Sequence, residues 1–382
     1  MTTGLVFDER FLEHRAPPGH PEHAGRAAAI WRRLETQGLA ARARRVPARE
    51  ATDEELERIH TPRHVRTIAE TARHEALQLD PDTYTSPGSA LAARLAAGGL
   101  IDLVLEVARG RLSNGFAVLR PPGHHAEAER AMGFCLFNNV AVAARAAQAD
   151  GTVKRVLVVD WDLHHGNGTQ HSFREDPSVL YFSIHQFPFY PGTGAFAETG
   201  GGAGRGFTVN VPFPGGMGDA EYLAAVDEVL LPVAEGFDPE LVLVSAGFDA
   251  ADGDPLGSMR VSPAGYGAMT RRLLRLSGGR VVLALEGGYD LDAIARSAEA
   301  CVRALLGDPA PEPAFGEPAR LARAAIAAVR DVQREYWAGL GTGRSEERTS
   351  GEDPRRGNAA SNFGPSEARA GVRDRMKFTL GS

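Results

Sequence analysis

Acidic and histidine side chains follow directly after one strongly apolar stretch of the chain. Residues 156–169 read VLVVDWDLHHGNGT, so four apolar residues run into Asp160, Asp162 and His164. An apolar run rich in β-branched residues is typical of a strand buried on both faces. Alternate residues of an extended chain point to the same side, so Asp162 and His164 can direct an oxygen and a nitrogen to one point. This pair suits zinc or a similar divalent ion. An acidic loop that only hydrates a strand end would have the same sequence pattern.

Polar residues or glycines also follow three other apolar stretches of the chain. They are His124 with His125, Asp249, and the run Gly287, Gly288 and Tyr289. The apolar stretches alternate with helical patterns, which predicts an α/β protein with a parallel, buried sheet whose strand ends meet along one edge. Asp162, His164 and Asp249 would then be three ligands of one zinc ion and leave a fourth position for water.

The other residues in this group are suited to proton transfer and to charge stabilisation. Imidazole exchanges protons near neutral pH, so His124 and His125 are candidate acid–base groups. A tyrosine hydroxyl is a neutral donor, and Tyr289 is therefore a candidate partner for a developing oxyanion. Only the predicted sheet brings these residues together, so their assembly depends on the fold.

Composition and charge narrow the class of protein. The chain has 382 residues, 43% of them hydrophobic, which suits a globular protein with a large core. Its formal charge of −7 argues against nucleic-acid binding and is compatible with a cationic substrate such as a lysine-rich peptide or a polyamine. No signal peptide and no apolar run of membrane-spanning length is visible, and the two cysteines lie far apart. We therefore expect a cytoplasmic protein without disulfides or membrane contacts, and frequent Ala, Arg and Gly hint at a bacterial source.

The organisation of the chain changes near residue 340. Before it, strand and helix patterns alternate, which predicts one catalytic domain over residues 1–340. Residues 341–382 are rich in Gly, Ser, Arg, Glu and Pro, and we expect this tail to be disordered. Near the N-terminus, His14, His20 and His23 lie in a loop rich in Pro and Gly, which we interpret as a solvated or rim loop rather than as a second metal site. Asp80–Ser89 is also expected to be a turn-rich loop.

Five segments of the chain resemble the class II branch of the zinc-dependent histone deacetylases, which have the arginase–deacetylase fold. They read RPPGHHAE, MGFCLFNNVAVAAR, VDWDLHHGNGTQ, VSAGFDAADGDPLG and LEGGYD, and the likeness extends from about Gly4 to Asp308. The resemblance implies a single α/β domain with an eight-stranded parallel sheet between helices. It also implies a zinc-dependent amidohydrolase of the protein lysine deacetylase type, which hydrolyses the ε-acetyl amide of lysine.

The resemblance also implies roles for the residues of the candidate site. Zinc would bind the predicted ligands, and the attacking water would lie between the two adjacent histidines. Asp160 would lie behind His124 and favour its imidazolium form, because a carboxylate stabilises positive charge. Asn167 would only orient His125, which would stay neutral, act as general base and then protonate the leaving lysine amine. Zinc would polarise the carbonyl and the water while Tyr289 holds the oxyanion.

Further residues match the substrate channel and the ion sites of the family. The matched positions are Gly133, Phe134 and Tyr190 for a narrow channel around the lysine stem, Asp82 for its rim, Leu256 and Gly288 for further substrate contacts, and Arg26 for an internal acetate channel. A structural potassium ion is implied near Asp160, Asp162, His164, Ser183 and Ile184, and a second one near Phe173, Asp176, Val179 and Phe207.

Two positions narrow the expected substrate. Leu256 is apolar where the polyamine-selective branch of the family has a glutamate, which favours acetylated lysine peptides or proteins over small acetylated amines. Tyr289 stands where the weakly active branch has a histidine, so we expect efficient deacetylation. Acceptance of other acyl groups stays open.

Other functions stay open at this stage. An acetylpolyamine amidohydrolase would share every catalytic residue, and a binding protein would hold acetylated ligands without hydrolysing them. An arginase-like enzyme with two manganese ions is disfavoured, because His124, Asp160 and Asn167 offer too few carboxylates for a second ion.

Overall fold

Most of the chain is organised around one parallel sheet, in the computed structural model that describes residues 2–311 and 315–341. The strands, in chain order, are β1 Thr3–Val6, β2 Arg44–Arg45, β3 Leu77–Asp80, β4 Thr83–Thr85, β5 Asn114–Ala117, β6 Val156–Asp160, β7 Val179–Gln186, β8 Thr208–Phe213, β9 Leu241–Ala246 and β10 Val281–Leu285. Eight of them form the sheet in the order β2-β1-β5-β10-β9-β6-β7-β8, with every pair parallel. The predicted eight-stranded parallel α/β architecture is therefore confirmed.

Helices connect the strands and cover the sheet. They are α1 Gly25–Thr36, α2 Asp53–Leu56, α3 Pro62–Glu70, α4 Ser89–Ala108, α5 Asn139–Ala149, α6 Asn167–Phe173, α7 Asp219–Ala225, α8 Leu231–Phe237, α9 Pro263–Leu273, α10 Leu291–Leu305 and α11 Arg320–Gln333, with one π-helical turn, Val226–Leu230, between α7 and α8. Every residue of β6 and β10 is buried, which requires cover on both faces of the sheet.

The sequence patterns missed two strand features. The eighth strand of the sheet is Arg44–Arg45, whose two exposed residues pair with Gly4 and Leu5 at the sheet edge. The expectation that Asp80–Ser89 is a loop was wrong. Leu77–Asp80 and Thr83–Thr85 form an antiparallel hairpin, and helix α4 already begins at Ser89.

The last described residues pack against the opposite edge of the sheet. The Gln333 side chain donates a hydrogen bond to the Thr208 carbonyl oxygen at 2.8 Å, and the Trp337 indole donates to the Gly206 carbonyl oxygen at 2.8 Å. Residues up to 341 belong to one compact unit. Residues 342–382, for which we expect disorder, lie outside the described residues. Among the helices that are described, none combines the length and hydropathy needed to cross a bilayer.

The N-terminal loop, residues 14–23, is exposed at Arg15, at His23 and over residues 17–19, as expected, but two of its side chains are buried. Glu22 is 1% exposed and its carboxylate binds two buried guanidinium groups, those of Arg120 at 2.6 and 2.7 Å and of Arg26 at 2.8 Å. His14 is buried against Ser89 at 2.7 Å, and burial lowers the pKa of this histidine to about 3, so it is neutral. The loop is therefore anchored by an internal charge cluster beneath the carboxyl-terminal edge of the sheet.

We expect the substitution Glu22→Gln to lower the free energy of unfolding by about 3 kcal/mol, because it leaves two buried guanidinium groups without their counter-charge. The glutamine amide keeps one carbonyl oxygen as an acceptor. We therefore expect a loss of stability at the low end of the range for broken buried ion pairs. Urea denaturation at pH 7 measures it. Glu13→Gln is the matched control, since Glu13 and its partner Arg15 are 54% and 73% exposed, and it should change stability by less than about 0.5 kcal/mol.

The pH dependence of the free energy of unfolding is a second test of the role of Glu22. Burial would raise the pKa of Glu22, but Arg120 and Arg26 outweigh it and hold the pKa well below its ordinary value of 4.5. Its contribution is therefore complete above about pH 4.5 and declines as the pH falls below that value. The Glu22→Gln variant should lose less stability than the wild type over the acid range. A loss at pH 7 no larger than that of the control would contradict the cluster's proposed role.

Candidate active site

The candidate residues follow four strands that are neighbours in the sheet. β5, β10, β9 and β6 are consecutive in the strand order, and the segments after their carboxyl ends border one cavity of about 260 Å³. The cavity is lined by Asp82, Pro122, His124, His125, Gly133, Phe134, His164, Phe189, Tyr190, Leu256, Gly287 and Tyr289. Strand order thus brings together side chains that are far apart in the chain.

Asp162, His164 and Asp249 form a compact donor set at this cavity. Their ligand atoms lie within 4.8 Å of one another, and His164 Nδ1 lies 3.2 Å from Asp162 Oδ1 and 3.0 Å from Asp249 Oδ2. Two carboxylates and one imidazole match the oxygen and nitrogen ligands that zinc prefers. No other such group of His, Cys, Asp or Glu occurs within residues 2–311 and 315–341.

Backbone groups hold the two carboxylates in place. Asp162 Oδ2 accepts a hydrogen bond from the Gly287 N–H at 2.8 Å, and Asp249 Oδ1 accepts one from the Leu163 N–H at 2.8 Å. A Cβ atom at Gly287 would lie 2.3 Å from Asp249 Oδ2 and 2.6 Å from Asp162 Oδ2. Only glycine lets the chain pass this close to both acids.

The buried charges of this group favour a cation. Burial, together with the charge of Asp162, raises the pKa of Asp249 to about 7. Burial would lower the pKa of His164, but its hydrogen bonds to the two carboxylates raise it to about 9. A divalent ion would replace the His164 proton and neutralise both acids, so the residues present fit zinc.

The adjacent histidines have different partners and different protonation. His124 Nδ1 lies 3.1 Å from Asp160 Oδ2, whereas His125 Nδ1 lies 2.8 Å from Asn167 Oδ1. Burial would lower the pKa of His124, but the charges of Asp162 and Asp160 raise it to about 10. Burial and the charges of His124 and His164 hold the pKa of His125 well below its ordinary value. The site therefore places a charged imidazolium beside a neutral imidazole.

Two buried acids that sequence analysis did not single out hold the backbone of the site. Glu286 Oε2 accepts hydrogen bonds from the N–H groups of Gly123 at 2.6 Å and His124 at 3.1 Å. Asp254 Oδ2 accepts one from the Tyr289 N–H at 2.7 Å, and Asp254 Oδ1 accepts one from the Leu256 N–H at 2.9 Å. Glu286 directly follows a buried strand, which was the available signal.

Aromatic rings form the walls of the cavity. The ring of Tyr190 packs edge-on against His125 with centroids 5.1 Å apart, and Phe134 packs edge-on against Tyr289 at 6.0 Å. Gly133 has φ of +56°, and a Cβ atom there would lie 2.4 Å from the His125 ring, so this position requires glycine. Asp82 lies in the turn of the β3–β4 hairpin, where its carbonyl oxygen is 3.0 Å from His20 Nε2.

Arg26 lies buried behind the segment that carries Tyr289. Its Nε donates a hydrogen bond to the Gly288 carbonyl oxygen at 2.5 Å, and Nη2 donates to the Glu286 carbonyl oxygen. The guanidinium carbon lies 4.9 Å from the centroid of the Tyr289 ring. Arg26 therefore joins the internal charge cluster around Glu22 to the candidate active site.

The two groups of residues matched to potassium sites lie in or next to β6, α6, β7 and β8. In the first group, Asp160 pairs in register with Ser183 of β7. In the second, the carbonyl oxygens of Phe173 and Asp176 accept backbone hydrogen bonds at 3.0 and 3.4 Å, and that of Phe207 accepts one at 2.9 Å. Each carbonyl oxygen has a second lone pair that a cation could use.

Comparison with known proteins relates most of this chain to one family. The family described as the histone deacetylase domain matches residues 20–305. Histone deacetylase 7 of Homo sapiens is 46% identical over 88% of this chain, and histone deacetylase 15 of Arabidopsis thaliana is 48% identical over 89% of it. The matches span 40% and 63% of the lengths of these two relatives.

The fold has a close counterpart among solved structures. The crystal structure of the HDA15 HD domain superimposes with a TM-score of 0.85 at 46% identity, over 89% of this chain and 96% of that domain. The eight-stranded sheet described above is thus the fold of that domain.

Proposed function

Because the chain belongs to the histone deacetylase family, we propose that it is a zinc-dependent amidohydrolase that removes the acetyl group from ε-acetyl-lysine in peptides or proteins. The observation that carries this proposal is the donor set Asp162, His164 and Asp249 at a cavity that the tandem histidines and Tyr289 also line. A metal ligand set, an acid–base pair and an oxyanion donor are the three parts that metal-assisted amide hydrolysis needs.

Zinc held by this donor set would polarise the acetyl carbonyl and lower the pKa of the attacking water. His125 is neutral and accepts the proton of that water, then transfers it to the departing lysine amine. His124 keeps its positive charge beside Asp160 and stabilises the negative charge that develops during attack. The hydroxyl of Tyr289 stays protonated, because burial holds its pKa well above the ordinary value, and donates to the oxyanion.

The walls of the cavity support a long, unbranched substrate side chain. Gly133, Phe134 and Tyr190 would enclose the methylene stem of acetyl-lysine between aromatic rings. Asp82 at the rim would accept hydrogen bonds from the peptide backbone on either side of that lysine. Leu256 adds an apolar contact, and Gly288 brings the chain of Tyr289 close to the substrate.

Two further assignments belong to this proposal. Arg26, whose buried guanidinium lies behind Tyr289, would attract the acetate product into the interior of the domain. Potassium ions would bind the oxygen atoms near β6 and β7 and the carbonyl oxygens of Phe173, Asp176, Val179 and Phe207. Both ions would be structural.

An acetylpolyamine amidohydrolase is the second candidate, because it would use the same catalytic residues. The apolar side chain of Leu256 at the cavity favours the lysine substrate, since position 256 offers no carboxylate to a second amine of a polyamine.

Acetate release from an acetyl-lysine peptide and from acetylspermidine tests the proposal. We expect the zinc-loaded wild type to prefer the peptide, and Leu256→Glu to shift the ratio of the two kcat/KM values toward acetylspermidine by about tenfold, a typical gain for one new ion pair. Leu256→Gln is the matched control, because it adds polarity without charge. Preference of the wild type for acetylspermidine would favour the second candidate, and zinc binding without turnover of either substrate would indicate a binding protein.

A further inference from the structure

A chain of hydrogen bonds leads from His125 to the protein surface. Asn167 accepts from His125 through Oδ1, and its Nδ2 donates to Glu127 Oε1 at 2.5 Å. The same Oε1 atom lies 2.8 Å from Nδ1 of His171. The side chains of Glu127 and His171 are 24% and 46% exposed, so the chain ends in solvent. Asn167 and His171 lie one helical turn apart on α6, which places them on the same face.

The surroundings of Asn167 determine which end of its amide faces His125. Nδ2 is directed toward acceptors only: Glu127 Oε1, the His125 carbonyl oxygen at 3.4 Å and Met132 Sδ at 3.6 Å. An amide nitrogen is a donor and a carboxylate oxygen is an acceptor, so the reversed amide would place oxygen against oxygen. Glu127 therefore keeps the Asn167 oxygen toward His125.

This orientation in turn selects the tautomer of His125. The Asn167 oxygen can only accept a hydrogen bond, so Nδ1 of His125 must carry the hydrogen. In a neutral imidazole the other nitrogen, Nε2, then has the free lone pair that a general base needs. A reversed Asn167 amide would favour the opposite tautomer, in which Nε2 carries the hydrogen and cannot accept another proton.

We propose that Glu127 is a positioning residue that sets the tautomer of His125 through Asn167, and that His171 anchors Glu127 in this role. The proposal rests on the function proposed above for its effect on rate, but the tautomer itself is independent of the substrate. Glu127 touches neither the cavity nor the metal ligands.

The pKa shifts of Glu127 and His171 support a charged Glu127 carboxylate. Burial would raise the pKa of Glu127, but its hydrogen bonds with His171 and Asn167 lower it, so the carboxylate remains an acceptor. The hydrogen bond to Glu127 raises the pKa of His171; Glu198 acts in the same direction and Arg174 opposes it.

Glu127→Gln tests the proposal, because the glutamine amide can offer either an oxygen or a nitrogen to Asn167. We expect kcat for an acetyl-lysine peptide to fall by about tenfold or more, with KM within about twofold of the wild type and zinc content unchanged. In protein labelled with ¹⁵N-histidine, the His125 ring should shift from the Nδ1–H form toward the Nε2–H form, with its signals assigned by their loss in His125→Gln. Glu175→Gln, on an exposed side chain nearby, should change neither measurement.

Two variants of His171 separate its proposed role as the anchor of Glu127 from effects on folding. His171→Asn keeps a nitrogen donor near the position of Nδ1 and should retain the wild-type tautomer and kcat. His171→Ala removes the donor. It should change the His125 tautomer and kcat in the same direction as Glu127→Gln does, but by a smaller amount. A wild-type tautomer in both Glu127→Gln and His171→Ala would overturn the proposal. If the wild-type protein turned over no acetyl-lysine substrate, a tautomer shift would still support this role of Glu127 while the proposed function failed.

Discussion

Asp162→Asn is expected to remove zinc binding and deacetylation together. The substitution replaces one of two charged ligands, and a neutral amide oxygen is a much weaker ligand for zinc. The N–H groups of His164 and Gly287 donate to different oxygens of Asp162, Oδ1 at 2.9 Å and Oδ2 at 2.8 Å, so the amide can accept only one of these two hydrogen bonds. The variant therefore keeps one of these backbone contacts while the charged ligand is lost. We expect acetate release to fall by about 10³-fold or more, since the metal supplies several kcal/mol of transition-state stabilisation.

Zinc per protein after desalting, measured by mass spectrometry, is the primary readout for this variant. Asp252→Asn is the matched control, because Asp252 is exposed in the segment that follows Asp249. The control should keep both zinc and activity. One zinc ion per chain in the Asp162→Asn variant would contradict the assignment of Asp162 as a ligand, whatever happened to the rate.

Tyr289→Phe should lower kcat by about 10²–10³-fold, the usual cost of losing one oxyanion donor. The phenylalanine ring keeps the edge-on contact with Phe134, and Asp254 still holds the backbone of residue 289 through its N–H group. The substitution thus removes one hydroxyl and little else. Because that hydroxyl acts mainly in the transition state, KM should change by less than about threefold, and zinc content should not change.

Tyr336→Phe provides the control for this prediction. Tyr336 packs against Gly206, outside the cavity lining, so loss of its hydroxyl should leave acetate release at the wild-type value. Wild-type kcat in Tyr289→Phe would exclude Tyr289 as the oxyanion donor. A raised KM with unchanged kcat would instead indicate that the hydroxyl binds the ground state of the substrate.

Local sequence patterns predicted the elements that bury an apolar face and missed those that do not. The runs at Val156–Asp160 and Val281–Leu285 are buried strands, as their apolar residues indicate. Arg44–Arg45 is an edge strand without an apolar residue, and the strands of the hairpin that carries Asp82 have only four and three residues, which is too short for a clear pattern. Backbone hydrogen bonds to a neighbouring strand, rather than side-chain burial, determine Arg44–Arg45.

The N-terminal loop has two buried side chains that its pattern did not predict. Pro, Gly and His are typical of solvated loops, and that pattern gave no sign that Glu22 meets Arg26 and Arg120 in the interior. A buried ion cluster of this kind is a property of three distant segments, since each residue alone would be expected at the surface.

By itself, the sequence determined which residues could do chemistry and that they follow strands, because strand burial and side-chain alternation are local properties. Asp162 and His164 can share a metal for this reason alone. Only the tertiary structure decided that β5, β10, β9 and β6 are neighbours, which brings Asp249, the tandem histidines and Tyr289 to the same cavity. It also decided the partners Glu286, Asp254 and Glu127, since a hydrogen bond across the fold depends on strand order and loop path, which leave no periodic signal in the chain.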